Sequence, residues 1–99
     1  MAYVGSTDKY LYVLDLDRRK VKKKIYAGSK IYGPPRLLAG RIYFGACNGI
    51  VYEIDPVTTQ VTGTHQLPDA ITNALSYNTE DARFYALTYV NQLFAFVRE

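Results

Sequence analysis

Residues 3–15 (YVGSTDKYLYVLD) overlay without a gap on residues 43–55 (YFGACNGIVYEID) at a shift of 40 positions. Tyr3 falls on Tyr43, Gly5 on Gly45, Tyr12 on Tyr52, Asp15 on Asp55 and, further on, Val21 on Val61. A third and looser copy follows at a shift of 42: Tyr85 takes the place of Tyr43, Asn91 falls on Gly49, and Leu93, Phe94 and Phe96 fall on Val51, Tyr52 and Ile54. This copy lacks the glycines. A fixed period of this length restricts the chain to architectures built by stacking one supersecondary unit on the next.

Each copy reads as a β-hairpin. Ile42, Tyr43 and Phe44 suit a pleated surface, Asn48-Gly49 supplies the positive-φ pair of a two-residue turn, and Ile50, Val51, Tyr52 and Ile54 carry the returning strand. Further strands are expected over 21–26, 31–38, 61–67 and 71–77, with turn chemistry between them at Gly28-Ser29-Lys30, Ala39-Gly40, Asp55-Pro56 and Leu67-Pro68-Asp69. Gly33-Pro34-Pro35 interrupts the second of these runs and is expected at the start of an innermost strand, because proline cannot donate to a ladder.

Four short strands per period near 40 residues is the pattern of a β-propeller blade. The faces agree: Ile42 and Phe44 point opposite to Tyr43, and Ile50, Tyr52 and Ile54 opposite to Val51, so the sheet is apolar on both sides, as a blade between two neighbours requires. The expected fold is all-β, a partial β-propeller of about two and a half four-stranded antiparallel blades. One segment, 1–99, is divided into blade units of about 1–26, 31–67 and 71–99.

Closed propellers need typically 4 to 8 blades, so the outer sheets should present broad apolar faces. Self-assembly, a longer parent propeller or repacking of the ends would cover them. A section of a longer propeller is the favoured expectation, because terminal repeats ordinarily need caps.

The segment 3–15 resembles the repeat of pyrroloquinoline-quinone-type, or quinoprotein-like, propellers, whose blades carry aromatic-Val-Gly-Ser, Asp-Gly and Leu-Tyr-Ala-Leu-Asp. Residues 43–55 match almost as well. The resemblance implies a propeller fold and, for members without a cofactor site, a binding or scaffolding role. Arg18-Arg19-Lys20 and Thr58-Thr59-Gln60 stand where that family has Thr-Gly-Lys, and the tryptophan that follows in the family is missing from both copies.

Candidate chemistry is sparse. The basic run over 18–24, Arg-Arg-Lys-Val-Lys-Lys-Lys, holds half of the twelve cationic residues in a chain of net charge +3. Clustered cations can pair with phosphates. This run instead covers the turn into an outermost strand, where lysines protect an open edge, so nucleic acid is not the expected partner. Cys47, the single cysteine, has only His65 as a possible base, on a different strand. Asp15, Asp17 and Asp55 suit turn capping better than metal binding.

No catalytic residue, metal or cofactor is assigned. Tyr32, Asn48 and Asn73, in the loops at one end of the ring, are the ligand-binding candidates. The expected function is a non-enzymatic protein-binding or scaffolding module, its partner another protein or other copies of the chain. The alternatives are a piece of a quinone-dependent dehydrogenase and a carbohydrate-binding propeller assembled from several copies. The start carries no secretory signal pattern and no apolar run reaches the roughly 20 residues of a membrane helix, so no compartment is assigned.

Overall fold

The computed structural model describes residues 2–89 and 92–97. Ten strands run in chain order: β1 (Ala2–Gly5), β2 (Tyr10–Asp15), β3 (Lys20–Tyr26), β4 (Arg36–Leu38), β5 (Arg41–Gly45), β6 (Ile50–Ile54), β7 (Val61–Gln66), β8 (Ser76–Asn78), β9 (Arg83–Leu87) and β10 (Leu93–Phe96). They form three antiparallel meanders, blade I (β1-β2-β3), blade II (β4-β5-β6-β7) and blade III (β8-β9-β10). No described residue is helical.

The 40-residue period extends to details the side chains do not announce. The β2–β3 ladder shifts register between Val13 and Leu14, and the β6–β7 ladder between Glu53 and Ile54, so Lys22 and Thr62 are the extra residues of equivalent bulges. Lys9 and Gly49 share φ near +80° (80° and 82°), and Arg19 and Thr59 are paired in the same way (54° and 59°).

The turn at Asn48-Gly49 differs from the expectation. Only Gly49 has positive φ; the Gly49 amide donates to the Ala46 carbonyl (3.0 Å) and the Ala46 amide to Ile50 (3.1 Å), which makes a four-residue turn ending in a left-handed glycine. Asn48 contributes its side chain instead, its Oδ1 accepting from the Ile50 amide at 3.1 Å. The two-residue hairpin with two positive-φ positions falls at Ala39-Gly40 (49° and 81°) between β4 and β5.

Both faces of blade II are covered. Ile42, Phe44, Ala46 and Ile54 join Leu11, Val13, Ile25, Ala27 and Ile31 of the preceding blade, while Tyr43 and Val51 join Leu67, Ile71, Leu75, Phe84 and Ala86 on the other side. The alternation read from the sequence is therefore the division between two cores.

The strands expected over 31–38 and 71–77 are shorter than that. Only Arg36–Leu38 and Ser76–Asn78 are ladder strands, apart from one bridge between Ile71 and Thr88. Ile31 and Ile71 act as plugs: each amide donates to the preceding blade, Ile31 to Ser6 (3.1 Å) and Ile71 to Ala46 (3.2 Å), and each side chain lies over a glycine of that blade. A Cβ on Gly5 would stand 2.4 Å from Ile31 Cγ2, and one on Gly45 would stand 2.3 Å from Ile71 Cγ2. These glycines repeat because the plug leaves no room for a side chain.

Candidate functional site

Five connectors share one end of the sheets: 6–9, 27–35, 46–49, 67–75 and the one after β9, of which Thr88, Tyr89 and Gln92 are described. Their main chains are stitched from blade to blade. Cys47 N donates to Lys30 O (2.9 Å) and Tyr89 N to Ala70 O (2.8 Å), equivalent bonds at the I–II and II–III junctions. The Ala27 carbonyl accepts two further bonds from blade II, from Tyr52 Oη (2.7 Å) and Asn48 Nδ2 (2.9 Å). Backbone groups at the junction are thus paired by main-chain partners from the next blade, with the Tyr52 hydroxyl and the Asn48 amide completing the set at Ala27.

The three sequence candidates all lie at this end, in different roles. Tyr32 is 55% exposed, just before Gly33. Asn73, also exposed, occupies the equivalent position to Gly33 in the next connector. The two backbones touch, since a Cβ on Gly33 would come within 2.5 Å of the Asn73 carbonyl carbon and oxygen. Tyr32 and Asn73 are thereby held close, beside the innermost strands β4 and β8, which approach each other. Asn48 is exposed, but its amide spans its own turn and the Ala27 carbonyl, so its hydrogen-bonding capacity goes largely into structure.

Tyr89 was missed by sequence reasoning. It is 72% exposed and lies on the connector after β9. Its signal was present in the third-copy alignment, where it falls on Cys47, but that copy lacks the glycines that make the others recognisable. Cys47 itself is half-buried and unpaired with another cysteine. His65 faces blade III from β7, its ring stacked on Phe96 with centroids 4.6 Å apart.

The opposite end carries the aspartates. Asp15 Oδ1 accepts from the amides of Asp17 (3.1 Å) and Arg18 (3.2 Å), which places Asp17 in the turn and not on a strand face. Asp55 repeats the arrangement with Val57 (2.8 Å) and adds an ion pair to Arg41 at 3.0 Å. The Val57 amide, with Arg41 also contributing, holds the Asp55 carboxyl below its usual range. Among the described residues no group of three or more His, Cys, Asp or Glu side chains is gathered as a metal site.

Of the basic run, the residues of β3 lie along an outer sheet edge. Lys23 Nζ crosses to the Thr59 carbonyl of blade II (2.9 Å), and Lys24 stands 4.9 Å over the Tyr10 ring. A cavity of about 300 Å³ opens between blades II and III, lined by Tyr43, Val51, Glu53, Gly63, His65 and Phe96 among others. Within it the Tyr43 hydroxyl donates to Glu53 Oε1 at 2.9 Å, across a buried cross-strand pair.

No family model matches the chain, and no curated protein matches it in sequence. Solved structures do match in shape. The WD40 β-propeller domain of Doa1 aligns with 98% of this chain at a TM-score of 0.81 and 17% identity, the match covering 33% of that chain. The computationally designed Ika8 protein aligns with 97% of this chain at a TM-score of 0.76 and 15% identity, the match covering 30% of that chain. The chain therefore spans about a third of the length of these structures, and its fold is that of a β-propeller segment whose ring is not closed.

Proposed function

We propose that the chain is a protein-binding module: residues 1–99 form one propeller section, of quinoprotein-like repeat type, that engages a partner protein through the loop end bearing Tyr32, Asn73 and Tyr89. One observation carries this reading. The connectors there are closed by main-chain bonds between blades, so the exposed side chains stand on a rigid platform and little ordering is needed when a partner docks. Exposed tyrosines are suited to the task, since each supplies a large amphipathic contact area with few rotatable bonds.

Affinity capture from the source cells tests it. The chain should retain a stoichiometric protein partner that is lost with Tyr32→Ala and with Tyr89→Ala. Val57→Ala, at the opposite end and 84% exposed, should leave capture unchanged. A partner indifferent to both tyrosine variants would refute the assignment, and so would a tightly bound absorbing quinone in the purified protein.

A further inference from the structure

β3 and β7 are the same element one repeat apart, and each is the outermost strand of its sheet. Blade II has all four strands and still ends on β7, so an open outer edge belongs to the repeat, whatever adjoins the blade. The two edges differ in charge. Residues 18–24 read Arg-Arg-Lys-Val-Lys-Lys-Lys, and the equivalent residues 58–64 read Thr-Thr-Gln-Val-Thr-Gly-Thr. Six cations stand where the second copy has none.

Edge protection does not account for them, because β7 is just as open and does without. Packing does not either: Arg18, Arg19, Lys20, Lys22 and Lys24 are exposed, and Lys23 alone is half-buried as it reaches Thr59 O. Residues 15–24 hold six of the twelve cations and two of the nine acids, so the rest of the chain is close to neutral and the positive field is concentrated on this edge.

The edge is also a main-chain surface. The Ala27 amide donates inward to Lys9 (2.8 Å), and Ile25 and Lys23 follow it at the two-residue spacing of an antiparallel ladder, so the main-chain groups of Lys24 and Tyr26 turn outward. Cations flank the edge on both sides, Lys20 and Lys23 on the face of Val13 and Lys24 on the face of Tyr12. Where the run begins, a hollow of about 520 Å³ is lined by Asp15, Arg18, Lys20, Val21 and Lys22. The Asp15 Oδ1 there is engaged by the Asp17 and Arg18 amides.

We propose that β3 takes an acidic, extended segment of a partner protein as an added strand. The main chain of the segment bonds to Lys24 and Tyr26, and carboxylates on consecutive residues face the cations on the two sides. A second copy does not suit this edge, since β3 against β3 sets lysines against lysines. A phosphate polymer meets the charges but leaves the outward amides and carbonyls without partners.

Fluorescence anisotropy with a labelled peptide of Glu-Glu-Val repeats tests this. Binding should weaken with added salt and fall about tenfold in the triple variant Lys20→Gln, Lys22→Thr, Lys24→Thr. The second copy already carries those residues at the equivalent positions, so the variant should fold with an unchanged far-ultraviolet dichroism spectrum. The same peptide N-methylated throughout keeps its charge and loses its donors, and should bind at least tenfold more weakly. The amide resonances of Lys24 and Tyr26 should shift on titration, and Tyr89→Ala, on blade III, should leave the affinity unchanged. Absence of binding at millimolar peptide, equal binding of the N-methylated peptide, loss of binding with Tyr89→Ala, or a single-stranded oligothymidylate bound as tightly as the peptide would overturn the proposal.

Discussion

Placing one methyl group at the most crowded point of the II–III junction tests the account of the repeat directly. In Gly45→Ala the new Cβ would stand 2.3, 2.6 and 2.9 Å from three carbons of Ile71, where ordinary contact begins near 3.4 Å, so one side must give by about 1 Å. Ile71 has nowhere to retreat. It is fully buried, its amide is bonded to Ala46 at 3.2 Å, and its backbone is bridged to Thr88.

Overpacking of this kind costs about 1–3 kcal/mol, and the immovable neighbour argues for the upper half of that range. Alanine recovers about 0.4–1 kcal/mol by restricting the unfolded chain, which leaves a net loss of about 2 kcal/mol. With a urea m-value of about 1–2 kcal/mol/M for a chain this size, the midpoint should fall by about 1–2 M. Gly40→Ala serves as a control: nothing lies within 4 Å of its would-be Cβ, so only the strain of φ +81° remains.

The cause is isolated by a second substitution. Ile71→Ala alone should cost about 2–5 kcal/mol as a cavity, but Gly45→Ala added to it should cost less than in the native background, with a coupling of about 1 kcal/mol. A Gly45→Ala variant within 0.5 kcal/mol of the native protein, or strict additivity in the cycle, would refute the plug explanation.

Lys9 holds the left-handed conformation that Gly49 holds one repeat later, so Lys9→Gly should stabilise the chain by about 0.5–1 kcal/mol in the same urea assay. Tyr43→Phe removes the hydrogen bond to Glu53 inside the II–III junction and should cost about 1–3 kcal/mol. The Asp55 carboxyl has a lowered folded-state pKa, so its contribution is present above the unfolded value near 4 and is lost as pH falls through the lower folded value. The stability gap between native protein and Asp55→Asn, measured by urea titration at pH 6 and again at pH 2.5, should therefore narrow in acid.

The blade plan was legible because its signals are local and periodic. Turn residues, β-branched and aromatic runs and the 40-residue spacing of Tyr3 and Tyr43 depend only on residues near one another. The plugs were not legible. Ile31 and Ile71 look like ordinary strand residues, and only the placement of one blade on the next shows that each belongs to the junction behind it. The Asn48-Gly49 turn was half legible, since the dipeptide fits a two-residue turn and only the Ala46 carbonyl, accepting from Gly49, selects the longer one. Asn91, expected in the equivalent turn of the third copy, lies outside the described residues. For the candidate residues, their gathering at one end of the sheets followed from propeller geometry. The division of labour among Tyr32, Asn48 and Asn73 did not, because it depends on which polar group the neighbouring blade presents.

The same division explains which positions of the repeat vary. At the loop end the inter-blade bonds run between main-chain groups, so the residues carrying them are free to change: Lys30 becomes Ala70, Cys47 becomes Tyr89, and Ser6 becomes Ala46, while equivalent bonds persist. At the plug no such freedom exists. Gly5 and Gly45 are unchanged where an isoleucine presses on them, and the position becomes Leu87 only where none of the described residues does. A fold that secures its junctions with backbone bonds and a few crowded contacts leaves its loop side chains to be set by something outside the fold. That is the physical reason to look for recognition at Tyr32 and Tyr89, and to expect their substitution to change binding while leaving the urea midpoint where it was.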